Sequence, residues 1–151
     1  MIEGVRIKRL KVIPDERGLL MEMMRDDDEF FQKFGQVYLS MVYPGVVKGW
    51  HYHRRQTDHF VVVKGMCKVG LYDMREGSPT RGLAEAHYLG DNNNIVLRIP
   101  VGVAHGYRTI GVEASLLVNF PTQLYDPAEP DEFRVPWDSP DIPFNWEIEY
   151  K

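Results

Sequence analysis

Residues 44–65, PGVVKGWHYHRRQTDHFVVVKG, hold three of the chain's five histidines, His51, His53 and His59, with Asp58 just ahead of a valine run. On an extended strand residues i and i+2 project to one face, so His51 and His53 point together while Trp50 and Tyr52 face the other way. The same rule separates neighbours: Asp58 and His59 cannot both face a cavity, and His59 is expected to point away from it. The segment from the valine run to Tyr72 reads as a hairpin, Phe60–Val63, a turn at Lys64–Gly65, then Cys67–Tyr72. Two imidazoles converging on one strand face have a use if that strand lines the inside of a barrel.

Further out, GQVYLSMVYPG, NIVLRIPVG, HGYRTIG and ASLLVNF repeat the pattern of short Val/Ile/Leu/Tyr runs bounded by turn residues. Strands at this spacing, without intervening helices, predict an all-β antiparallel sandwich or barrel. One or two helical turns are expected at DDDEFFQKFG, with Asp26–Asp28 as the N-terminal cap and Gly35 as the stop. From Pro121 the character changes, with six prolines between Phe120 and Trp146. That density suits no interior strand, yet Tyr125, Phe133, Trp137, Phe144 and Trp146 are too aromatic for a disordered tail. The segment is expected to be an ordered arm lying over the barrel, and residues 1–151 to form one domain.

A net charge of −4 argues against a general nucleic-acid or membrane-surface binder. Lys48, Arg54, Arg55, Lys64 and Lys68 still offer a local basic site for a phosphorylated small molecule. The single cysteine, Cys67, excludes an intrachain disulfide and is expected in the core. No apolar signal core opens the chain, so the cytoplasm is the expected compartment.

Gly45, His51, His53, Asp58 and Gly65, followed by Pro100, Gly102 and His105, resemble the two cupin motifs. Asp58 stands where those motifs have Glu, and Thr109 where the second ends in Asn. The resemblance implies a jelly-roll β-barrel. In metal-binding cupins these positions would make His51, His53, Asp58 and His105 ligands for a divalent metal such as Fe, Mn, Ni, Cu or Zn.

A resemblance over most of the chain is more specific. DERGLLMEMM (15–24), VVKGWHYH (46–53), GLYDMREGSPTRG (70–82), RIPVGVAHGY (98–107) and LYDPAEPDEFRVPWDSPDIPFNW (124–146) are similar, in order, to segments of the dTDP-4-dehydrorhamnose 3,5-epimerase family. The resemblance implies a nucleotide-sugar substrate, no cofactor, a homodimer, and proton abstraction beside a C4 ketone. It makes His51 the base and Tyr125 the acid, with His53 beside the base and His105 in the pocket. Gln36 and Lys48 then contact the nucleotide, and Arg17 and Glu22 reach in from the neighbouring subunit. Three features depart from the family. Its Gln is His53 here, its enolate-stabilising Lys falls near Asp58 or His59, and its base-orienting Asp lies past the last Trp segment. Asp58 or Glu113 is expected to take that orienting role. The His-x-His pair also resembles the sugar 3,4-ketoisomerases, which keeps a ketone migration by His51 and His53 as a rival, beside a metal-dependent cupin and a non-catalytic binding module.

Overall fold

The computed structural model describes residues 1–149 and builds them from β-strands, with no helix among them. One five-stranded sheet runs β1 (Arg6–Arg9), β9 (Ile95–Ile99), β6 (Asp58–Lys64), β11 (Ser115–Asn119), β4 (Tyr38–Val42). The facing sheet runs β12 (Phe133–Arg134), β5 (Val47–Tyr52), β10 (Val103–Thr109), β7 (Met66–Asp73), β8 (Ala84–Gly90). A separate hairpin joins β2 (Ile13–Asp15) to β3 (Gly18–Leu20). All pairings are antiparallel. This is the expected all-β jelly roll.

Alternation along each strand fills the space between the sheets. From β6, Phe60 and Val62 enter the central core, where they meet Val69 and Leu71 of β7, Leu97 of β9 and Leu117 of β11. Val61 and Val63, at odd positions of β6, are apolar too, because the outer face of this sheet is covered. Val61 and Val63 pack there with Leu10, Val96, Met21, Met23, Met24 and Phe30. A strand buried on both faces reads as a continuous apolar run, which is what the triple valine reports.

Burial also explains why no helix forms at 26–35. The segment makes isolated turns, with Phe31 N–H donating to Asp28 carbonyl at 2.9 Å. The Asp28 carboxylate accepts from Arg25 N–H at 2.8 Å and from Lys8 Nζ at 2.7 Å. Its charge tethers the segment to β1 instead of capping a helix, and Phe30 lies over His59 with ring centroids 5.7 Å apart.

The expected hairpin at Lys64–Gly65 is not one. β6 pairs with β9 and β11, whereas β7 pairs with β8 and β10, so the turn carries the chain from one sheet to the other. Local pattern marks strand, turn, strand equally well in both cases; only pairing partners tell a hairpin from a corner. Gly65 fits the corner because its φ is +78° and an added Cβ would lie 2.5 Å from Ser115 Oγ.

The proline-rich arm covers the outer face of the second sheet. Trp50, Ala104, Ile142 and Trp146 form a second buried cluster, with Tyr52, Val135 and Phe144 packed against it. Gly70 makes the seat: a Cβ there would come within 2.8 Å of Phe144, Trp146 and Trp50 rings. Cys67 is buried and unpaired in the central core, and burial pushes its thiol up to about 11, as expected of a packing residue.

Candidate active site

β5 and β10 run side by side at the open end of the space between the sheets, with His51 directly opposite His105. β12 adds the outer edge, pairing Arg134 with His51 and Phe133 with Tyr52. Inward-facing side chains from these strands, from β4 and from the 121–132 loop enclose a cavity of about 660 Å³. His51, His53, His105, Lys48, Gln36 and Tyr125 all line it. Alternation holds as read: Trp50 and Tyr52 pack into the arm cluster on the opposite face.

Asp58 is buried beneath the cavity floor. Its Oδ1 accepts from Gln56 Nε2 at 2.7 Å and from Asn119 Nδ2 at 2.8 Å. Its Oδ2 sits 3.1 Å from His53 Nε2 and 3.2 Å from His105 Nε2, out of line with both for a directed hydrogen bond. Burial alone would raise this carboxyl, but contact with the two imidazoles outweighs it and holds the carboxyl far below its usual range. Burial also works against a charged His53. Asp58, together with the Asp131 carbonyl that accepts from His53 Nδ1, overrides it and raises His53 above its usual value.

His51 is different. Burial, then the neighbouring His105, push it down to about 4, so it is a neutral imidazole at pH 7. The carboxylate beside it is Glu132, with Oε1 3.9 Å from Nε2. The four-donor metal set implied by the cupin resemblance therefore does not assemble. His53, Asp58 and His105 bring donor atoms within 4.8 Å of one another, while His51 stands apart, beside Glu132. As a four-ligand centre the set does not fit.

Other expectations divide the same way. Tyr125 is half exposed at the cavity edge, where its backbone N–H donates to Gln36 Oε1 at 3.3 Å. Lys48 Nζ donates to Ser40 Oγ at 2.9 Å and to Met41 carbonyl at 2.6 Å. Arg17 and Glu22 lie outside the cavity; Arg17 pairs with Asp15 on the exposed hairpin and Glu22 with Arg25. His59 turns away as expected, its Nδ1 donating to Phe120 carbonyl at 2.8 Å. His87 pairs with Glu85 at 2.9 Å on β8. Neither expected partner serves His51: Asp58 belongs to His53 and His105, and Glu113 lies in the turn between β10 and β11, where its carbonyl accepts from Thr109. The DMREGSPT segment likewise closes a loop. Asp73 accepts from Ser78 and Thr80 at 2.6 Å each and from Arg75 at 2.8 Å.

The structure adds wall residues that the motifs did not single out. Tyr107 and Ser40 share a 2.7 Å hydrogen bond, and Tyr38 accepts from Asn119 at 2.9 Å. Tyr107 was within reach of the sequence, since it stands two positions after His105 on one strand. Asp131, Glu132 and Arg134 were not, because they arrive on the arm.

The fold and cavity define a jelly-roll protein equipped to move protons on a small polar ligand. Over residues 1–151 the chain matches the family model described as dTDP-4-dehydrorhamnose 3,5-epimerase. It belongs to that family, whose members are isomerases. It is 44% identical over 151 residues to the spore coat polysaccharide biosynthesis protein SpsL of Bacillus subtilis, covering all of both chains. It is 47% identical over 150 residues to the "Probable low-salt glycan biosynthesis epimerase Agl13" of Haloferax volcanii, covering 98% of this chain and 96% of that one. Among solved structures, a dTDP sugar isomerase from Desulfovibrio desulfuricans superposes with a TM-score of 0.90 at 38% identity, over 96% of this chain and 92% of the other.

Proposed function

We propose that this chain epimerises a dTDP-4-keto-6-deoxyhexose at C3, C5 or both. The C4 ketone acidifies the adjacent C–H bonds; His51 removes a proton, and Tyr125 delivers one to the opposite face of the enolate. The observation that carries this reading is a neutral imidazole in the cavity wall, ready to accept a proton, with a phenol lining the same cavity. Asp58 favours the charged form of His53, which stands where the family has Gln, and Lys48 and Arg134 bring positive charge suited to the phosphates. The proposed proton transfers call for no resident metal.

The same reading makes the protein a homodimer. Arg17 and Glu22 are exposed and unused by their own cavity. Leu19 and Leu20 on the hairpin, Leu39 and Met41 along the edge strand β4, and Tyr43 just past it form exposed apolar surface in need of a cover.

The test is NMR of dTDP-4-keto-6-deoxyglucose in D2O with chelator-treated protein. Deuterium should enter at C3 or C5 while the ketone stays at C4, and His51→Ala should abolish it. Migration of the ketone to C3 would favour the 3,4-ketoisomerase reading, although His53, with Nδ1 held by the Asp131 carbonyl and Nε2 turned to Asp58, is poorly placed to shuttle protons. No exchange would leave a binding module or a metal-dependent reaction.

A further inference from the structure

We propose that Glu132 is the carboxylate that orients His51 for proton transfer, carried to the site by the C-terminal arm and steadied by Arg134. The inference rests on the epimerase reading for what His51 does, and on geometry for the contact itself.

β12 lies antiparallel to β5 with Arg134 opposite His51, so Arg134, Glu132 and His51 all project toward the cavity. Glu132 Oε1 stands 3.9 Å from His51 Nε2, and Arg134 Nε donates to the same oxygen at 2.8 Å. Both flanks of Glu132 are fixed. On one side the Asp131 carboxylate accepts from the backbone N–H groups of Arg54, Arg55 and Gln56 at 2.9, 2.8 and 3.0 Å. On the other, Phe133 stacks on Tyr52 at 5.2 Å, with the Arg54 guanidinium 4.3 Å from its centroid. Such pinning leaves Glu132 little freedom except in its own side chain. A carboxylate beside a catalytic imidazole fixes its tautomer and stabilises the imidazolium formed on proton abstraction.

The groups facing His51 act in opposite senses. From the arm, Glu132 favours its charged form and Arg134 of β12 opposes it; His53, just past β5, and His105 on β10 oppose it too. Tyr38, across the cavity from β4, faces Glu132 as a neutral phenol, pushed up to about 12 mainly by burial.

Two measurements on the full chain test the assignment. In the D2O assay, Glu132→Gln should slow deuterium entry about 10- to 100-fold, mostly in kcat, with Glu132→Asp recovering part of the rate. In protein labelled with 15N-histidine, the His51 titration midpoint should fall in Glu132→Gln and rise in Arg134→Gln. A Glu132→Gln rate within twofold of the unsubstituted protein, or a His51 midpoint unmoved by both substitutions, overturns the proposal. If Glu132→Gln does not fold, Glu132→Asp and Arg134→Gln must still move the midpoint. Absence of exchange by the unsubstituted protein would instead overturn the substrate reading, and the titration would still decide on Glu132.

Discussion

His51 and His53 are two residues apart in the chain and are shifted in opposite directions because of what stands behind them. Asp58 backs His53, while desolvation dominates at His51. The signs fix how stability depends on pH. His51 has its folded value depressed from 6.5 to about 4, so the unfolded chain binds its proton first on acidification. This group therefore removes stability as pH falls from 6.5 towards 4. Thermal melts of His51→Asn are expected to drop less across that window than those of the unsubstituted protein. Asp58 is depressed as well, and its contribution, present above a usual carboxylate value, is lost only in stronger acid. Removing it takes away the buried carboxylate that His53 and His105 share. Asp58→Asn is expected to cost about 3–5 kcal/mol in denaturant unfolding at neutral pH. At Tyr125 the chemistry should split: Tyr125→Phe is expected to keep deuterium exchange but lose inverted product, because His51 still removes the proton and nothing delivers one to the other face.

Among elements, the arm decides most. It carries Tyr125, Asp131, Glu132 and Arg134 to the cavity and seals the second sheet with Trp146, whose indole N–H donates to Trp137 carbonyl at 3.1 Å. Trp146→Ala leaves a void against Trp50 and Phe144 and is expected to cost about 3–5 kcal/mol. Asp131→Ala frees three backbone amides at once. Hydrogen exchange at Arg54, Arg55 and Gln56 should accelerate, while amides of β7 in the core keep their protection. The strands themselves were legible from alternation and turn residues, as was the arm from its mix of proline and aromatics. The corner at Gly65 and the missing helix at 26–35 were not, because both depend on which distant strands are present to pair with or to cover.

At the scale of the whole molecule, β4 leaves one sheet with an apolar edge, and the hairpin places Leu19, Leu20 and Arg17 outside their own cavity. Covering that surface with a second copy would bury the apolar residues and bring Arg17 to a neighbour's site. Analytical ultracentrifugation is expected to show a dimer, and Leu39→Lys combined with Met41→Lys to yield monomers with reduced activity. A monomer at micromolar concentration with full activity would remove the dimer and the trans role of Arg17 together.

Backbone geometry explains why so much of the cavity was readable. A strand of fixed period commits each side chain to a face, so sequence by itself put His51 with His53 and turned His59 away, while His105 was placed by the motif resemblance. Charge, partner and position obey no such local rule. Which histidine is shifted up depends on Asp58, folded in from another strand. Which carboxylate serves His51 depends on an arm that begins 70 residues further along the chain and returns through the pairing of Arg134 with His51. Those assignments rest on desolvation and on contacts between segments far apart in the chain, and only the tertiary structure brings them together.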